Sequence, residues 1–426
     1  MTLAVFFVSI FAFLLLGVPV AFSILLTVFT MAGASGVTSF DIVPSYLYSG
    51  VNNFALLAIP FFIFCGDIMN AGGLSKGIVD FCRVLLGHIR AGIGYAAILA
   101  CMIFAALTGA AVVTISAIGG IMLPLMIKEG YDAADSTACC CAGAITGPII
   151  PPSLPMVIYG VLSGVSVTKM FIGGVVPGIL TGLICMLVWW KMNKNKNYPL
   201  QPKATAAEVA AAAKQAIPAL LMPVIMMGGI LSGMFTPTEA GVVACVYAWF
   251  VSTFIYKEMN LKKLKQVAIG SAKSSAVIML IVAACQALAM VITVARIPQA
   301  VAELIYSISS NQLVVMCLIN VFVLITGLFM DVTPALTILT PIFLPIANSV
   351  GMDPIVFGVT MIYGLVIGLI TPPVGNVLYI GIGISKITLL DLLKKIWPMV
   401  VTFVIILFFM TLVPQTITFL PNLFAG

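Results

Sequence analysis

The fold is decided by two stretches of sequence, GAITGPIIPP at residues 143–152 and GLVIGLITPP at residues 364–373. The second lies 221 residues after the first, and the similarity extends over 121–160 and 342–381, with eleven identities in 40 ungapped columns. Seven of these identities are Gly or Pro, the residues that most strongly determine backbone shape. The chain therefore contains an internal repeat, and both copies predict a helix broken at the same place.

The composition indicates a membrane protein. Of the 426 residues, 62% are hydrophobic and only 8% are charged, and the mean hydropathy is +1.24. A soluble domain carries about 25% charged residues. The net charge of +6 does not indicate nucleic-acid binding, because the lysines concentrate at 191–214 and 257–273, between long apolar stretches. That distribution is typical of cytoplasmic loops and predicts the lipid bilayer as the surrounding medium.

The apolar segments predict the arrangement of transmembrane helices. A spanning helix needs about 20 apolar residues. Residues 2–34 read as two short helices separated at Gly17-Val18-Pro19. Further spans are predicted at 53–72, 132–160, 167–191, 215–234, 237–256, 268–294, 353–384 and 397–420. The longest of these segments, 132–160 and 353–384, contain the repeated Pro-Pro breaks.

Two apolar stretches, 92–127 and 312–349, are too long for one span and are interrupted near their middle. The interruptions are Thr108-Gly109-Ala110-Ala111 and Met330-Asp331-Val332-Thr333-Pro334. Both stretches are predicted to be re-entrant hairpins, since bent backbone at membrane depth must be buried in protein or line a cavity. The predicted fold is an all-α polytopic membrane protein with two inverted repeats, each with a re-entrant helical hairpin and a broken transmembrane helix.

The positive charges predict the topology and the division of the chain. With both termini periplasmic, all of the 19 Lys+Arg except Lys169 and Arg296 fall on the cytoplasmic side. The predicted units are scaffold helices at 1–72 and 214–294, transport-core halves at 73–192 and 295–426, and a cytoplasmic linker at 193–213. An odd number of crossings between the repeat copies gives them opposite orientations.

Inverted repeats with interrupted spans at matching positions are typical of secondary transporters, whose half-helix ends bind ions and anionic groups near the midplane. Candidate substrate ligands are the polar side chains at the two breaks: Thr108, Thr146, Ser153, Thr333 and Asn376. Asp331 is a functional candidate because it is an acid at membrane depth, with helix capping as the alternative. Two other acids are predicted at that depth: Asp67, and Glu239, which reads as part of a capping box with Thr236.

Other function classes have weaker support. No phosphate loop of the form G-x-x-x-x-G-K-[ST] appears, so ATP-driven pumping is not predicted. Gly33-Ala34-Ser35-Gly36 matches a short intramembrane-protease string, but His88 is predicted across the membrane, and no enzyme activity is expected. A channel usually carries a repeated ring of pore-lining groups, and the sequence shows none.

The chain resembles the large membrane subunit of tripartite ATP-independent periplasmic (TRAP) transporters, including those for sialic acid. The resemblance is carried by the two breaks, by IPFFIFCGDIMNAGG at residues 59–73 and by FTPTEAG at residues 235–241. It implies an elevator-type ion-transporter fold and sodium-coupled uptake of a small carboxylate, such as sialic acid or a C4-dicarboxylate. It also implies a small Q-type membrane subunit, a periplasmic substrate-binding protein and a location in the bacterial inner membrane. A symporter that works without a binding protein is the alternative.

The resemblance also assigns sodium ligands to both breaks. The first set is Thr108, Gly109, Ala110, Gly147, Ile150, Pro151 and Ser153. The second set is Met330, Asp331, Thr333, Gly368, Thr371, Pro372 and Asn376. The first hairpin tip departs from the Ser-Gly-Ser pattern of many family members, which leaves fewer hydroxyl groups there.

Overall fold

The computed structural model describes residues 2–35 and 40–424, which form helices joined by turns. The helices of the first repeat are Thr2–Leu15, Val20–Ser35, Val43–Val51, Ala58–Ala71, Leu74–Leu86, Gly92–Thr108, Ala111–Thr114, Gly120–Lys128, Ala133–Ala144, Leu154–Ser163 and Val167–Asn193. Those of the second repeat are Ala206–Leu231, Pro237–Phe250, Leu261–Val294, Ile297–Tyr306, Gln312–Phe329, Val332–Ser349, Pro354–Gly368, Asn376–Ser385, Leu389–Leu412 and Gln415–Phe424. Two short 3₁₀ turns, Phe40–Ile42 and Phe54–Leu57, and two π-helical turns, Ile115–Gly119 and Val251–Ile255, join or extend these helices.

Length and hydropathy agree with a polytopic membrane protein. Across residues 2–35 and 40–424, nine helices are long and apolar enough to cross a membrane, and six shorter apolar helices accompany them. The two short N-terminal helices meet at Gly17, whose φ is +77°, as the sequence predicted. The all-helical class is confirmed.

Both hairpins are present. Hairpin 1 consists of Gly92–Thr108 and Ala111–Lys128, and its tip is formed by Gly109 with a left-handed φ of +62° and by Ala110 in an extended conformation. Hairpin 2 consists of Gln312–Phe329 and Val332–Ser349, with Met330 and Asp331 both extended at its tip. Each tip therefore interrupts its helix where the sequence predicted.

Both broken helices are also present and share the same local design. Broken helix 1 consists of Ala133–Ala144 and Leu154–Ser163, and broken helix 2 of Pro354–Gly368 and Asn376–Ser385. Each begins at a capping aspartate: the Asp132 Oδ1 accepts hydrogen bonds from backbone nitrogens at 3.1 and 2.9 Å, and the Asp353 Oδ1 does so at 2.7 and 3.3 Å. The peptide bonds Pro151-Pro152 and Pro372-Pro373 are both cis. The repeat seen in the sequence is thus a repeat of backbone geometry.

The helices pack in two groups. In the first group, Ala58–Ala71 packs between Pro237–Phe250 and Leu261–Val294, and Ala206–Leu231 packs on Pro237–Phe250. Val20–Ser35 and Val43–Val51 lie against Leu261–Val294. The hairpins, the broken helices, Val167–Asn193 and Leu389–Leu412 form the second group. The groups meet where Leu261–Val294 packs on Val332–Ser349, and where Leu74–Leu86 bridges Ala206–Leu231 and Gly92–Thr108.

Several helices differ from the sequence prediction. The helix predicted to begin at residue 215 begins at Ala206, inside the predicted linker 193–213, because Thr205 and Glu208 form a capping box there. The last predicted span, 397–420, is instead Leu389–Leu412 followed by a separate helix, Gln415–Phe424. Leu74–Leu86 was not predicted, since its apolar residues follow one face and do not form an uninterrupted run. The Ser35 side chain and Gly36 of the protease string lie outside the described residues.

Candidate functional site

At the first break, the tip of hairpin 1 lies directly against the turn of broken helix 1. A Cβ on Gly109 would stand 2.7 Å from the carbonyl oxygen of Pro152 and 3.1 Å from the nitrogen of Leu154. A Cβ on Gly147 would stand 2.9 Å from the carbonyl carbon of Ala110. The two backbones touch at both places, which only glycine allows, so the structure brings residues 108–110 together with residues 147–153.

The other side of this turn is covered by Val167–Asn193. A Cβ on Gly174 would stand 2.7 Å from the carbonyl oxygen of Ile149, and one on Gly178 would stand 2.5 Å from a side-chain carbon of Ile150. The sequence analysis did not single out this pair, although its four-residue spacing is the signal of close helix packing. The turn is therefore enclosed between a hairpin tip and a helix.

Helix ends meet at this break. The helices Gly92–Thr108 and Ala133–Ala144 end here, and the helices that begin at Ala111 and Leu154 start here. Helix N-termini carry partial positive charge and C-termini partial negative charge. Within the described chain, the carbonyl groups of Gly147, Ile150 and Pro151 accept no hydrogen bond. One small region thus offers free carbonyl oxygens to a cation and two N-termini to an anion.

The side chains at the first break are buried and bonded to nearby backbone. The Thr108 hydroxyl donates to the Phe104 carbonyl at 3.2 Å, Thr146 donates to Gly143 at 2.7 Å, and Ser153 donates to Pro148 at 2.5 Å. Each hydroxyl uses its only O–H proton in this hydrogen bond, while the lone pairs of its oxygen remain available. These three side chains can therefore accept a cation but cannot also donate to a carboxylate without rotating.

At the second break, the contacts lie about one turn before the hairpin tip. A Cβ on Gly368 would stand 2.1 Å from the carbonyl oxygen of Gly327, and the Val374 nitrogen donates to the Leu328 carbonyl at 3.1 Å. No hydrogen bond in the described structure joins Asp331 or Thr333 to the turn of broken helix 2. The sequence analysis missed Gly327, although a glycine three residues before the interruption suggested a close approach of backbones.

Fewer polar side chains at the second break than at the first form hydrogen bonds with the rest of the described chain. Thr371 donates to the Ile367 carbonyl at 2.8 Å, whereas the side chains of Thr333 and Asn376, both half-buried, have no hydrogen-bond partner among the described residues. The carbonyl groups of Met330, Thr371 and Pro372 likewise accept no hydrogen bond within residues 2–35 and 40–424. Thr333 and Asn376 can therefore donate to or accept from a ligand directly.

Asp331 has the capping role that the sequence left open. Its Oδ1 accepts a hydrogen bond from the Val332 nitrogen at 2.7 Å, and its side chain is exposed in this conformation. Met330 also helps to line an apolar cavity of about 30 Å³, together with Phe6 and Phe7 of the N-terminal helix. The group that Met330 offers to a cation is its backbone carbonyl, which accepts no hydrogen bond within the described residues.

The two broken helices pack side by side in opposite directions, which brings their turns close together. A Cβ on Gly358, in the first half of broken helix 2, would stand 2.2 Å from the Tyr159 ring, in the second half of broken helix 1. The Tyr159 hydroxyl donates to the Pro354 carbonyl at 2.6 Å. Conversely, a Cβ on Gly381 would stand 2.7 Å from the Cys141 Sγ. Each first half lies beside the other helix's second half, so the two turns adjoin.

The remaining acids have other roles. The Glu239 carboxylate accepts a hydrogen bond from the Thr236 nitrogen at 2.7 Å, which confirms the capping box. Asp67 accepts a hydrogen bond from the Ser271 hydroxyl at 2.5 Å, within the first helix group. The sequence analysis missed a fourth acid, Asp135, which is only 1% exposed. It lies within the predicted span 132–160, in the first turn after the capping residue Asp132, and was not singled out there.

Comparison with known proteins agrees with this geometry. Residues 7–416 match the family described as "Tripartite ATP-independent periplasmic transporter, DctM component". The chain is 42% identical to the 2,3-diketo-L-gulonate TRAP transporter large permease protein YiaN of Escherichia coli, over 94% of this chain and 95% of that protein. It is 34% identical to the sialic acid TRAP transporter large permease protein SiaM of Vibrio cholerae, over 96% of each.

The fold is also similar to that of a solved transporter, YdaH of Alcanivorax borkumensis, with a TM-score of 0.63, 14% identity and 87% of each chain covered. At that identity the likeness shows the fold alone. The family match and the relatives of full length extend over both hairpins and both broken helices. The chain therefore belongs to the DctM-component family, the large permease subunits of TRAP transporters.

Proposed function

We propose that this subunit performs sodium-coupled uptake of a small organic anion by an elevator movement. The observation that carries the proposal is the meeting of four helix ends at each break, where carbonyl groups that accept no hydrogen bond within the described residues lie beside helix N-termini. Three of the four N-termini at the two breaks, at Ala111, Leu154 and Asn376, have no side-chain cap. In a low-dielectric interior, these partial charges are not screened by water and interact strongly with ions. Sodium would be held by oxygen atoms, which suit a hard cation.

Binding of the cation and the anion would be linked through the hairpin tips. A sodium ion among the carbonyl groups of Gly147, Ile150 and Pro151 would neutralise the C-terminal ends of Gly92–Thr108 and Ala133–Ala144. A carboxylate could then approach the N-termini that begin at Leu154 and Asn376, with the Thr333 and Asn376 side chains available as donors. The first site would rely mainly on carbonyl oxygens, since its hydroxyl protons are already used.

The solute is proposed to be a carboxylate. Both named relatives are, by their names, transporters of acids: 2,3-diketo-L-gulonate in one case and sialic acid in the other. A C4-dicarboxylate fits the same chemistry. Four helix N-termini lie at the two breaks, and each supplies about half a positive charge. The Asp331 carboxylate caps the one at Val332, which leaves three uncapped N-termini for a solute. Such a site favours one or two negative charges over a neutral sugar.

The partners follow from the family. A tripartite transporter implies two further components, which we propose to be a small membrane subunit and a periplasmic substrate-binding protein. We place the subunit in the inner membrane with both termini in the periplasm. Omitting the binding protein from reconstituted vesicles tests this: uptake should be lost. Uptake that persists at the same rate would favour the stand-alone symporter instead.

The movement would carry the second helix group, with both breaks, past the first group. Cys285 of Leu261–Val294 contacts the hydroxyl of Thr337 on Val332–Ser349, which places one native thiol on the boundary between the groups. In a Thr337→Cys variant, a disulfide bond between the introduced cysteine and Cys285 should stop uptake, and its reduction should restore uptake. Undiminished uptake in the oxidised variant would contradict the elevator movement.

A further inference from the structure

Asp135 is a buried carboxylate that three separate segments of the chain bring into contact with two lysines. It lies in the first turn of Ala133–Ala144 and is 1% exposed. The Lys196 ammonium contacts its Oδ2, and the Lys395 ammonium lies 3.1 Å from its Oδ1. Lys196 follows Val167–Asn193, and Lys395 belongs to Leu389–Leu412. A carboxylate buried this deeply requires such partners, because an uncompensated charge in the interior is strongly unfavourable.

The segment 194–201, which contains Lys196, has further attachments to the same part of the molecule. Arg90 donates to the Lys196 carbonyl and to the Asn197 Oδ1, both at 3.2 Å. The Tyr198 ring stacks on Tyr131, with 4.0 Å between the ring centroids. These partners flank hairpin 1 and broken helix 1, so segment 194–201 is bound to the transport core.

The last contact between segment 194–201 and the core is made by Gln201. Gln201 donates to the Glu129 carboxylate at 3.3 Å, just before the segment leaves the core. Burial, with the Asp135 carboxylate nearby, raises the pKa of Tyr198 to about 12, so this ring stays neutral at physiological pH. The stack of Tyr131 and Tyr198 is therefore an uncharged contact beside the ion pairs.

The attachment ends abruptly. Residues 202–204 are outside any helix and make no hydrogen bond within the described chain. The next residue, Thr205, caps Ala206–Leu231, which packs on Leu74–Leu86 and Pro237–Phe250. The chain also passes between the two helix groups through Leu74–Leu86 and through Ile297–Tyr306. In the crossing that joins the two repeats, the part attached to neither group is thus reduced to three residues.

We propose that Asp135 is a positioning residue for transport, which fixes segment 194–201 to the core so that the segment travels with it. Bending of this connection is then confined to residues 202–204. Through Lys395, the same carboxylate joins the first core half to the second, so that both move as one body. This inference rests on the proposed elevator movement.

A cross-link tests whether segment 194–201 moves together with the core. Tyr131→Cys and Tyr198→Cys can be joined by a short bis-methanethiosulfonate reagent, and mass spectrometry measures the joined fraction; nine of the ten native cysteines are buried. Uptake should stay within twofold of the unjoined protein. Loss of uptake on joining would mean that the segment must detach, and would overturn the proposal. The Cys285 to Thr337→Cys link is the control: if that link leaves uptake unchanged, the elevator movement itself is wrong.

A substitution tests the role of the carboxylate. Asp135→Asn keeps the size but removes both ion pairs, and we expect the maximal uptake rate per molecule to fall about tenfold. The apparent affinities for solute and sodium should stay within twofold, because Asp135 touches neither break. Joining positions 131 and 198 in the Asp135→Asn protein should restore most of the rate. Asp391→Asn, an exposed acid beside Lys394, is the matched control and should behave as wild type.

Two outcomes would overturn the positioning role. One is an Asp135→Asn variant that is less abundant but has the wild-type rate per molecule, which would indicate a role in stability only. The other is a reduced rate that the cross-link does not restore, which would mean that Asp135 does not act by holding segment 194–201.

Discussion

Replacing Gly368 by alanine should separate hairpin 2 from broken helix 2. A Cβ at this position would lie 2.1 Å from the Gly327 carbonyl oxygen and 2.3 Å from its carbonyl carbon. Ordinary contact begins near 3.4 Å, so one backbone must move by about 1.3 Å. Because both neighbours are backbone atoms, no side-chain rotation can relieve the contact. The hydrogen bond of 3.1 Å between Val374 and Leu328 lies within the same contact and should lengthen.

The expected destabilisation by Gly368→Ala can be estimated from other substitutions that add a methyl group to a packed interior. Extra methyl groups in a packed interior destabilise by about 1–3 kcal/mol. If sodium binding requires the close contact, the same strain appears as roughly a 5- to 150-fold loss of sodium affinity. Gly147→Ala meets the Ala110 carbonyl carbon at 2.9 Å, a milder conflict, and should give a smaller loss.

Two measurements follow: the thermal stability of the purified protein, and the sodium concentration for half-maximal uptake. Gly383→Ala is the control, because a Cβ there meets nothing within 4 Å and alanine favours a helix over glycine. The variants should rank Gly383→Ala, Gly147→Ala, Gly368→Ala in order of increasing damage. A Gly368→Ala protein with the stability and sodium dependence of the Gly383→Ala protein would refute the reasoning.

Two further predictions concern charge and topology. Asp331→Asn keeps a capping side chain but removes the negative charge; if the carboxylate holds sodium, the half-saturating sodium concentration should rise roughly ten- to a hundredfold, from a lost contact of about 1.5–3 kcal/mol. Glu239→Gln, which alters the capping box of Pro237–Phe250, should cost stability and leave the sodium dependence unchanged; an unchanged sodium curve for Asp331→Asn would make that acid structural only. In the topology test, single cysteines at Lys196 and Lys263 should react with a membrane-impermeant reagent only from the cytoplasm, and those at Lys169 and Arg296 only from outside. If positions 263 and 296 react from the same side of the membrane, the predicted opposite orientation of the two repeats is wrong.

The breaks were predictable because they depend on local chemistry. Gly109 takes a φ that other residues avoid, and Pro151-Pro152 and Pro372-Pro373 cannot continue a helix. The capping box at Thr236 and Glu239 is a local signal of the same kind. Such features determine backbone conformation without help from distant residues, so the sequence predicts the hairpins and the broken helices.

The packing register was not predictable in this way. The repeats are similar in sequence, yet Gly147 meets the tip of hairpin 1 while Gly368 meets Gly327, four residues before the Asp331 tip. That offset depends on how whole helices fit together. The partners of Asp135 also come from distant segments, at 196 and 395, and no local pattern joins them. The first turns of Ala206–Leu231 were missed for a different reason, because their alanines carry high helix propensity but little hydropathy contrast.

The central claim is that an ion gradient drives uptake through the two breaks. The most direct test is solute uptake by the subunit reconstituted in vesicles with its small membrane partner and a substrate-loaded periplasmic binding protein. An inward sodium gradient should drive accumulation, a potassium gradient of equal size should not, and ATP should have no effect. Accumulation that requires ATP and persists without any cation gradient would contradict the account.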